Sequence, residues 1–119
     1  SLHRAEGYGR CLAEALQLGL DLIATDWSGN KDFCKGDLYY PVPYSLIPLK
    51  PLEYPYWQEQ FWAEPDIESA AKILEKVVYK RIKEGLPNKE ISLRYQSYFS
   101  AKQCGKRYRK RLEDLGLIN

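Results

Sequence analysis

The chain reads as an α/β protein, and three observations predict that class. Leu12, Ala15, Leu16 and Gly19 recur at i, i+3, i+4 and i+7, one apolar helical stripe. Gly19 stands where a helix C′ glycine belongs. Leu20-Asp21-Leu22-Ile23-Ala24-Thr25 is then a short apolar run, rich enough in branched residues to be a buried strand. Loop, helix, tight turn and strand in that order make one half of a parallel α/β unit. Residues 1–40 are expected to hold its core, residues 41–64 a loop rich in proline and aromatics, and residues 65–119 a helical C-terminal part.

The helix start carries the chemistry. Its first turn leaves backbone N–H groups without internal partners, and the macrodipole adds partial positive charge there. It is preceded by Glu6-Gly7-Tyr8-Gly9. Gly7 and Gly9 carry no Cβ, so a ligand can come close to that backbone. Such a tip suits a phosphate or diphosphate. Glu6, just outside the helix, would repel a bare phosphate and is better suited to accept hydrogen bonds from neutral hydroxyls beside the anion. Glu14, further along the helix, can do the same for another hydroxyl. An anion site with a carboxylate on either side fits a ligand made of sugar, diphosphate and ribose, which is a nucleotide-sugar.

Three stretches carry a family resemblance: Ser1-Leu2-His3-Arg4-Ala5-Glu6-Gly7-Tyr8-Gly9, then Glu14-Ala15, then Ile23 to Phe33 with its Ser28-Gly29-Asn30 turn. Together they resemble retaining glycosyltransferases of family four. The likeness continues through Tyr40-Pro41-Val42-Pro43-Tyr44 and Trp62-Ala63-Glu64-Pro65-Asp66, to about Leu74. Those enzymes have two Rossmann-like lobes (the B-type fold). Their donor-binding C-terminal lobe carries two Glu residues separated by seven others, the spacing of Glu6 and Glu14. The resemblance implies part of that lobe, followed by C-terminal helices.

It also implies roles. Glu6 would sit at the transferred sugar, the N–H groups of Gly7, Tyr8 and Gly9 would face the sugar and diphosphate, and Glu14 would hold the ribose. Stabilising the leaving diphosphate is then the main electrostatic task. No cofactor and no metal are expected, and no carboxylate cluster reads as a metal site. The acceptor would be a glycan, a lipid-linked molecule or a small molecule. Two departures stand out. The family usually has proline where Asp21 stands, and often an apolar residue at Arg10. Asp21 is expected at a strand edge in solvent. Arg10 is expected either to add a cation for the diphosphate or to point outward. The family's diphosphate-neutralising basic residues and its acceptor lobe would lie upstream of Ser1. The chain is therefore expected to be the C-terminal piece of a longer enzyme, inactive alone and a weak donor binder.

Composition sets outer bounds. At 119 residues the chain is one domain or part of one. Eighteen Lys and Arg against sixteen Asp and Glu leave +2, too little to imply a polyanion partner from the total alone. No apolar run is long enough to span a bilayer, and no signal peptide is expected. Cys11, Cys34 and Cys104 are an odd set without paired spacing, which argues against a disulfide framework or zinc site and for reduced thiols in a cytosolic compartment. Cys11 reads as a small packing residue, and His3 alone is no ligand cluster.

Downstream, Asp26 to Asn30 is a turn cluster. Ser28 is expected to cap a short helix through Asp32 and Phe33 toward Lys35, ended by Gly36. It offers either a second helix start facing the same crevice or only a tight strand-to-helix turn at Gly29. Trp27 reads as a core or rim aromatic. Asp37 to Tyr40 is a strand candidate ended by Pro41. Five prolines between Pro41 and Tyr56 exclude a regular helix, and interleaved tyrosines and leucines predict an ordered loop with an extended segment at Val42, Tyr44, Leu46 and Ile47. That loop is either a wall of the sugar pocket, an acceptor-facing lip, or an insertion packed on the lobe.

A helix is expected to start near Pro65, with Ile67, Ala70, Ala71, Leu74, Val77 and Val78 on its apolar stripe and Gly85 after its end. Further helices are expected over Lys89–Tyr98 and Ala101–Leu115. The last is basic, with Lys102, Lys106, Arg107, Arg109, Lys110 and Arg111. A solvated face with Tyr108, Leu112 and Leu115 packed inward is the first reading. Peripheral contact with an anionic membrane surface is the second. Nucleic acid comes last, because no known binding signature accompanies the charge. The functional alternative to a donor-binding fragment is a non-catalytic α/β interaction module that uses this basic helix.

Overall fold

Helix α1 (Arg10–Gln17) begins behind Gly9, whose φ of +89° is open to glycine at little cost. It buries Leu12, Ala13 and Leu16, while Ala15 stays half-buried at the edge of the stripe. It ends as the sequence predicts. Gly19 takes φ +76°, its N–H donates to Leu16 O, and the Leu20 N–H donates to Ala15 O, both at 3.0 Å. This is a Schellman ending that satisfies two orphan carbonyls. The computed structural model describes residues 1–119.

Strand β1 (Leu22–Thr25) pairs in parallel with β2 (Tyr39–Val42), Leu22 opposite Tyr39 and Thr25 opposite Val42. The start of the chain lies along the other edge of β1. The Ser1 ammonium donates to Ile23 O at 2.7 Å, and the Thr25 N–H donates to Ser1 O at 3.1 Å, the staggered pattern of a parallel bridge. The loops that follow Ser1 and β1 therefore leave from the same end of the strands. In open parallel sheets that end is where ligands bind.

Pro41 does not end β2, contrary to the sequence expectation. The Leu22 N–H donates to Leu38 O and the Asp26 N–H to Val42 O. The ladder thus uses alternate residues, and Pro41 falls at the outward position of an edge strand, where a missing N–H costs nothing. Residues 41–64 are also more regular than the loop expected. Strand β3 (Tyr44–Pro48) pairs antiparallel with β4 (Phe61–Pro65), Tyr44 opposite Pro65 and Pro48 opposite Phe61. Residues 49–60 form the connection. Two bonds attach this hairpin to the rest: Ala63 N–H to Arg4 O at 2.9 Å and Asp66 N–H to Pro43 O at 2.8 Å.

Helix α2 (Ile67–Glu84) starts at Asp66, whose carboxylate accepts from the Ser69 N–H at 2.9 Å and from the Ser69 hydroxyl at 2.8 Å. Of its predicted stripe only Ala70 and Val77 are buried, and Leu74 is 54% exposed. Asp21, expected in solvent, is instead half-buried against α2. Its two carboxylate oxygens take Arg81 Nε at 2.5 Å and Nη2 at 2.7 Å, a two-pronged pair that clamps the helix to the entrance of β1.

Helix α3 (Lys89–Phe99) lies across α1 and completes the core. Leu12, Ala13, Leu16, Leu22, Ala24, Phe33, Cys34 and Leu38 form one buried cluster, with Ile91, Tyr95 and Phe99 of α3 against it. Tyr95 donates its hydroxyl to Lys35 O at 2.5 Å, and Gln96 donates to Gln17 O at 3.0 Å. Helix α4 (Ala101–Asp114) buries no residue. Tyr108, Leu112 and Leu115, expected inward, are exposed because no second layer lies over them. The molecule is a plate of 47 × 46 × 17 Å with a radius of gyration of 17.3 Å, where a compact chain of this length would give roughly 13–14 Å. No helix is long and apolar enough to cross a membrane.

Candidate functional site

At the strand ends, two turns are docked face to face. The Glu6 carbonyl accepts the Gly29 N–H at 3.0 Å and the Ser28 hydroxyl at 2.7 Å. Ser28 therefore does not cap the short 3₁₀ turn Gly29–Asp32 as expected. Its hydroxyl is turned back to the Glu6 loop, and its φ is +78°. Gly29 is required by the same crossing, since a Cβ there would lie 1.9 Å from Gly7 O. The alternative left open at Gly29 resolves toward the tight turn.

A second set of bonds fixes the same loop from below. His3 Nε2 lies 3.1 Å from Trp27 O and 3.2 Å from Asn30 Oδ1, and its Nδ1 lies 3.3 Å from the Ser1 hydroxyl. The tautomer protonated at Nε2 satisfies all three contacts. Asn30 is fully buried and passes its own Nδ2 to Thr25 O at 3.2 Å. His3 is thus a strut between the chain start and the second turn. Trp27 is half-buried and packs its ring 5.2 Å from that of Tyr44.

With its loop so braced, the tip of α1 is open. The N–H groups of Gly7, Tyr8, Gly9, Arg10, Cys11 and Leu12 have no backbone acceptor, and no side chain caps the helix. Glu6 and Gly7 line a cavity of about 770 Å³. The Glu6 carboxylate takes part in no ion pair, and its stem lies against Gly9, where a Cβ would meet Glu6 Cγ at 3.3 Å. Tyr8 points away from this cavity. Its ring packs on Phe33 at 5.0 Å, Phe33 packs on Phe99 at 5.4 Å, and burial raises the phenol's pKa. The Gly-Tyr-Gly turn thereby separates the Glu6 cavity from a groove of about 500 Å³ between Tyr8, Lys35 and the Arg107–Arg111 face of α4.

Glu14 does not line the Glu6 cavity. It is exposed on α1, one turn beyond the tip. Arg10 is exposed at the first helical position. The opposite wall of the cavity comes from the proline- and aromatic-rich stretch, one of whose readings is a pocket wall: Leu49, Tyr54, Tyr56, Gln60 and Trp62, joined by Arg4, which sequence reasoning did not single out. Arg4 places its guanidinium 2.6 Å from Glu64 Oε2 and 5.1 Å from the centre of the Trp62 ring. The Glu64 contact is a charge pair without the alignment of a hydrogen bond. Adjacent aromatic residues at Phe61 and Trp62 were the available signal for a strand there.

Nowhere do three His, Cys, Asp or Glu side chains converge in the manner of a metal site. Cys34 is buried, and burial pushes its thiol up to about 11, so it is protonated at neutral pH and is no nucleophile. What the site offers is a set of aligned N–H donors, one unpaired carboxylate and a mostly aromatic wall. Neither family models, nor curated proteins, nor solved structures yield a match to this chain.

Proposed function

We propose that the chain contributes donor binding to a retaining glycosyltransferase, holding a nucleotide-diphosphate-sugar at the tip of α1. One observation carries the reading: Glu6, with an unpaired carboxylate, and Gly7 line one open cavity, and the N–H groups from Gly7 to Leu12 at the helix tip that follows have no backbone acceptor. The N–H groups and the helix dipole supply partial positive charge where a diphosphate gains negative charge as it leaves. Glu6 accepts hydrogen bonds from the hydroxyls of the transferred sugar, a role for which a carboxylate without a cationic partner is suited. Arg10, exposed at the first helical position, adds a full charge to the same field. Glu14 is assigned the ribose by resemblance. The lobe is read as Rossmann-like from the parallel β1–β2 pair, the Ser1 bridge and the loops at their shared end.

The test is a titration of the chain with UDP-glucose and GDP-mannose, followed by amide resonances. Shifts concentrated at Gly7 to Leu12, weakened by Glu6→Ala, support the proposal. An unchanged spectrum at millimolar donor overturns it. In a full-length parent enzyme, Glu6→Ala is expected to remove most sugar transfer.

A second reading, an interaction module working through α4, is favoured by one fact: α4 buries none of its residues and is strongly basic. Two of its cations, Arg109 and Lys110, are already paired with Glu113 and Asp114. This reading expects salt-sensitive binding to acidic vesicles that Glu6→Ala leaves unchanged.

A further inference from the structure

The hairpin connection, residues 49–60, has features that packing does not account for. Tyr54 is 64% exposed, Tyr56 88% and Phe61 55%, yet all three line the cavity that holds Glu6. Rings of this size are ordinarily among the best candidates for burial. The connection is also ordered by its own bonds. The Leu49 N–H donates to Gln60 O at 3.0 Å, the Gln60 N–H to Trp57 O at 3.1 Å, and the Lys50 N–H to the Glu53 carboxylate at 2.7 Å. Within it, Leu52, Tyr56 and Glu59 hold φ values of +68°, +58° and +60°. Side-chain-bearing residues adopt that region against a steric penalty, and such strain gathers at ligand clamps.

Polar groups complete the wall. Trp62 lines the cavity, and its Nε1–H is buried with no acceptor. Buried indole N–H groups ordinarily have one. Gln60 brings a carboxamide that makes no hydrogen bond within the chain but can both donate and accept. Arg4, the cation on this wall, is neutralised by Glu64 and lies over the Trp62 ring. The charge left facing the cavity is the Glu6 carboxylate, which can accept hydrogen bonds from ligand hydroxyls.

We infer that residues 54–62 form a subsite for the pyranose rings of a neutral oligosaccharide, the acceptor of the transfer proposed above. Pyranose rings present flat C–H faces, which meet the negative faces of aromatic rings, and hydroxyl edges, which meet the Gln60 carboxamide and the Glu6 carboxylate. At about 770 Å³ the cavity is near the top of the range for ligand sites, roughly 300–1,000 Å³. The inference rests on the donor reading for the word acceptor, but the aromatic wall can be tested without it.

The experiment is saturation-transfer NMR on the full chain with maltohexaose, cellohexaose and mannohexaose, alongside the Trp62 indole N–H resonance. At least one of these sugars is expected to receive saturation at its ring protons and to shift that resonance. Tyr54→Ala with Tyr56→Ala is expected to weaken the binding roughly tenfold, the loss of two stacking contacts. The paired Tyr→Phe changes keep the rings and are expected to retain it, which separates stacking from misfolding. No transfer to any of the three sugars, or equal binding by the Ala pair, overturns the subsite. Donor shifts at Gly7 to Leu12 without oligosaccharide binding overturn this inference and leave the donor proposal standing. Oligosaccharide binding without donor shifts overturns the donor proposal and leaves a carbohydrate site on the aromatic wall.

Discussion

Gly29 faces the Gly7 carbonyl so closely that a Cβ at position 29 would lie 1.9 Å from the oxygen. The obstacle is backbone, not the end of a flexible side chain, so one of the two turns would have to move. Gly29→Ala is expected to cost about 1–3 kcal/mol, the range for forcing extra atoms into a packed site. It is also expected to weaken donor binding, because displacing either turn breaks the Gly29 N–H and Ser28 hydroxyl bonds to the Glu6 carbonyl. Urea unfolding and the donor titration measure the two effects. Stability and binding both at wild-type level would refute the close crossing.

The Asp21–Arg81 pair makes acid sensitivity specific. The Arg81 guanidinium holds the Asp21 carboxyl below its usual value of about 3.9. A carboxyl depressed in the folded state adds stability above its unfolded pKa, and that stability is lost as pH falls through the folded pKa. The chain should therefore hold constant stability from neutrality to about pH 4 and weaken below it. Asp66, held down by the Ser69 N–H, acts in the same direction. Asp21→Asn should lower stability at pH 7 by about 1–3 kcal/mol, the scale of a hydrogen bond to a charged group, and flatten the acid limb. Melting temperatures between pH 3 and 7 give the comparison.

Asn30 is the buried link between the chain start and the second turn. Asn30→Ala strands Thr25 O and removes an acceptor from His3. A loss of about 1–3 kcal/mol is expected, because a buried group left without a partner bears its full desolvation cost. Amide exchange should rise at Ser1 to Glu6 more than in α2. Uniform acceleration across both would contradict a local role.

Two of the three thiols should separate cleanly. Cys11 is exposed, whereas Cys34 is buried with its thiol pushed up to about 11. At pH 8 Cys34 is therefore held overwhelmingly as the thiol. Ellman's reagent is expected to modify Cys11 readily and Cys34 only in denaturant. Prompt labelling of Cys34 in the native chain would mean that the core cluster opens.

Local signals carried much of the fold. The Leu12–Leu16 stripe, the Gly19 ending, the Asp66 start of α2 and the spans of α3 and α4 are all written within a few residues of themselves. What stayed hidden depends on partners far along the chain. Asp21 meets Arg81 sixty residues on, and β3 finds β4 across the 49–60 connection. Pro41 survives in a strand only because the ladder register places it outward. An amphipathic pattern states which face is apolar but not whether anything covers it, so Leu74, Tyr108 and Leu112 were expected to be more buried than they are. The site divides the same way. The Glu6 loop was legible from its glycines and carboxylate. A pocket wall was one reading of the proline-rich stretch, but its pairing as a hairpin and its contact with Arg4 were not legible, because they form only when the hairpin folds back on the entry loop.

A body 17 Å thick has little interior to lose. Only 16 of its 119 residues are buried, so unfolding hydrates less new apolar surface than usual for this length. The heat-capacity increment should fall below the ordinary value of about 1.4–1.8 kcal/mol/K. Stability then varies gently between cold and warm, the melt seen by calorimetry is broad, and whatever settles on either broad face steepens it.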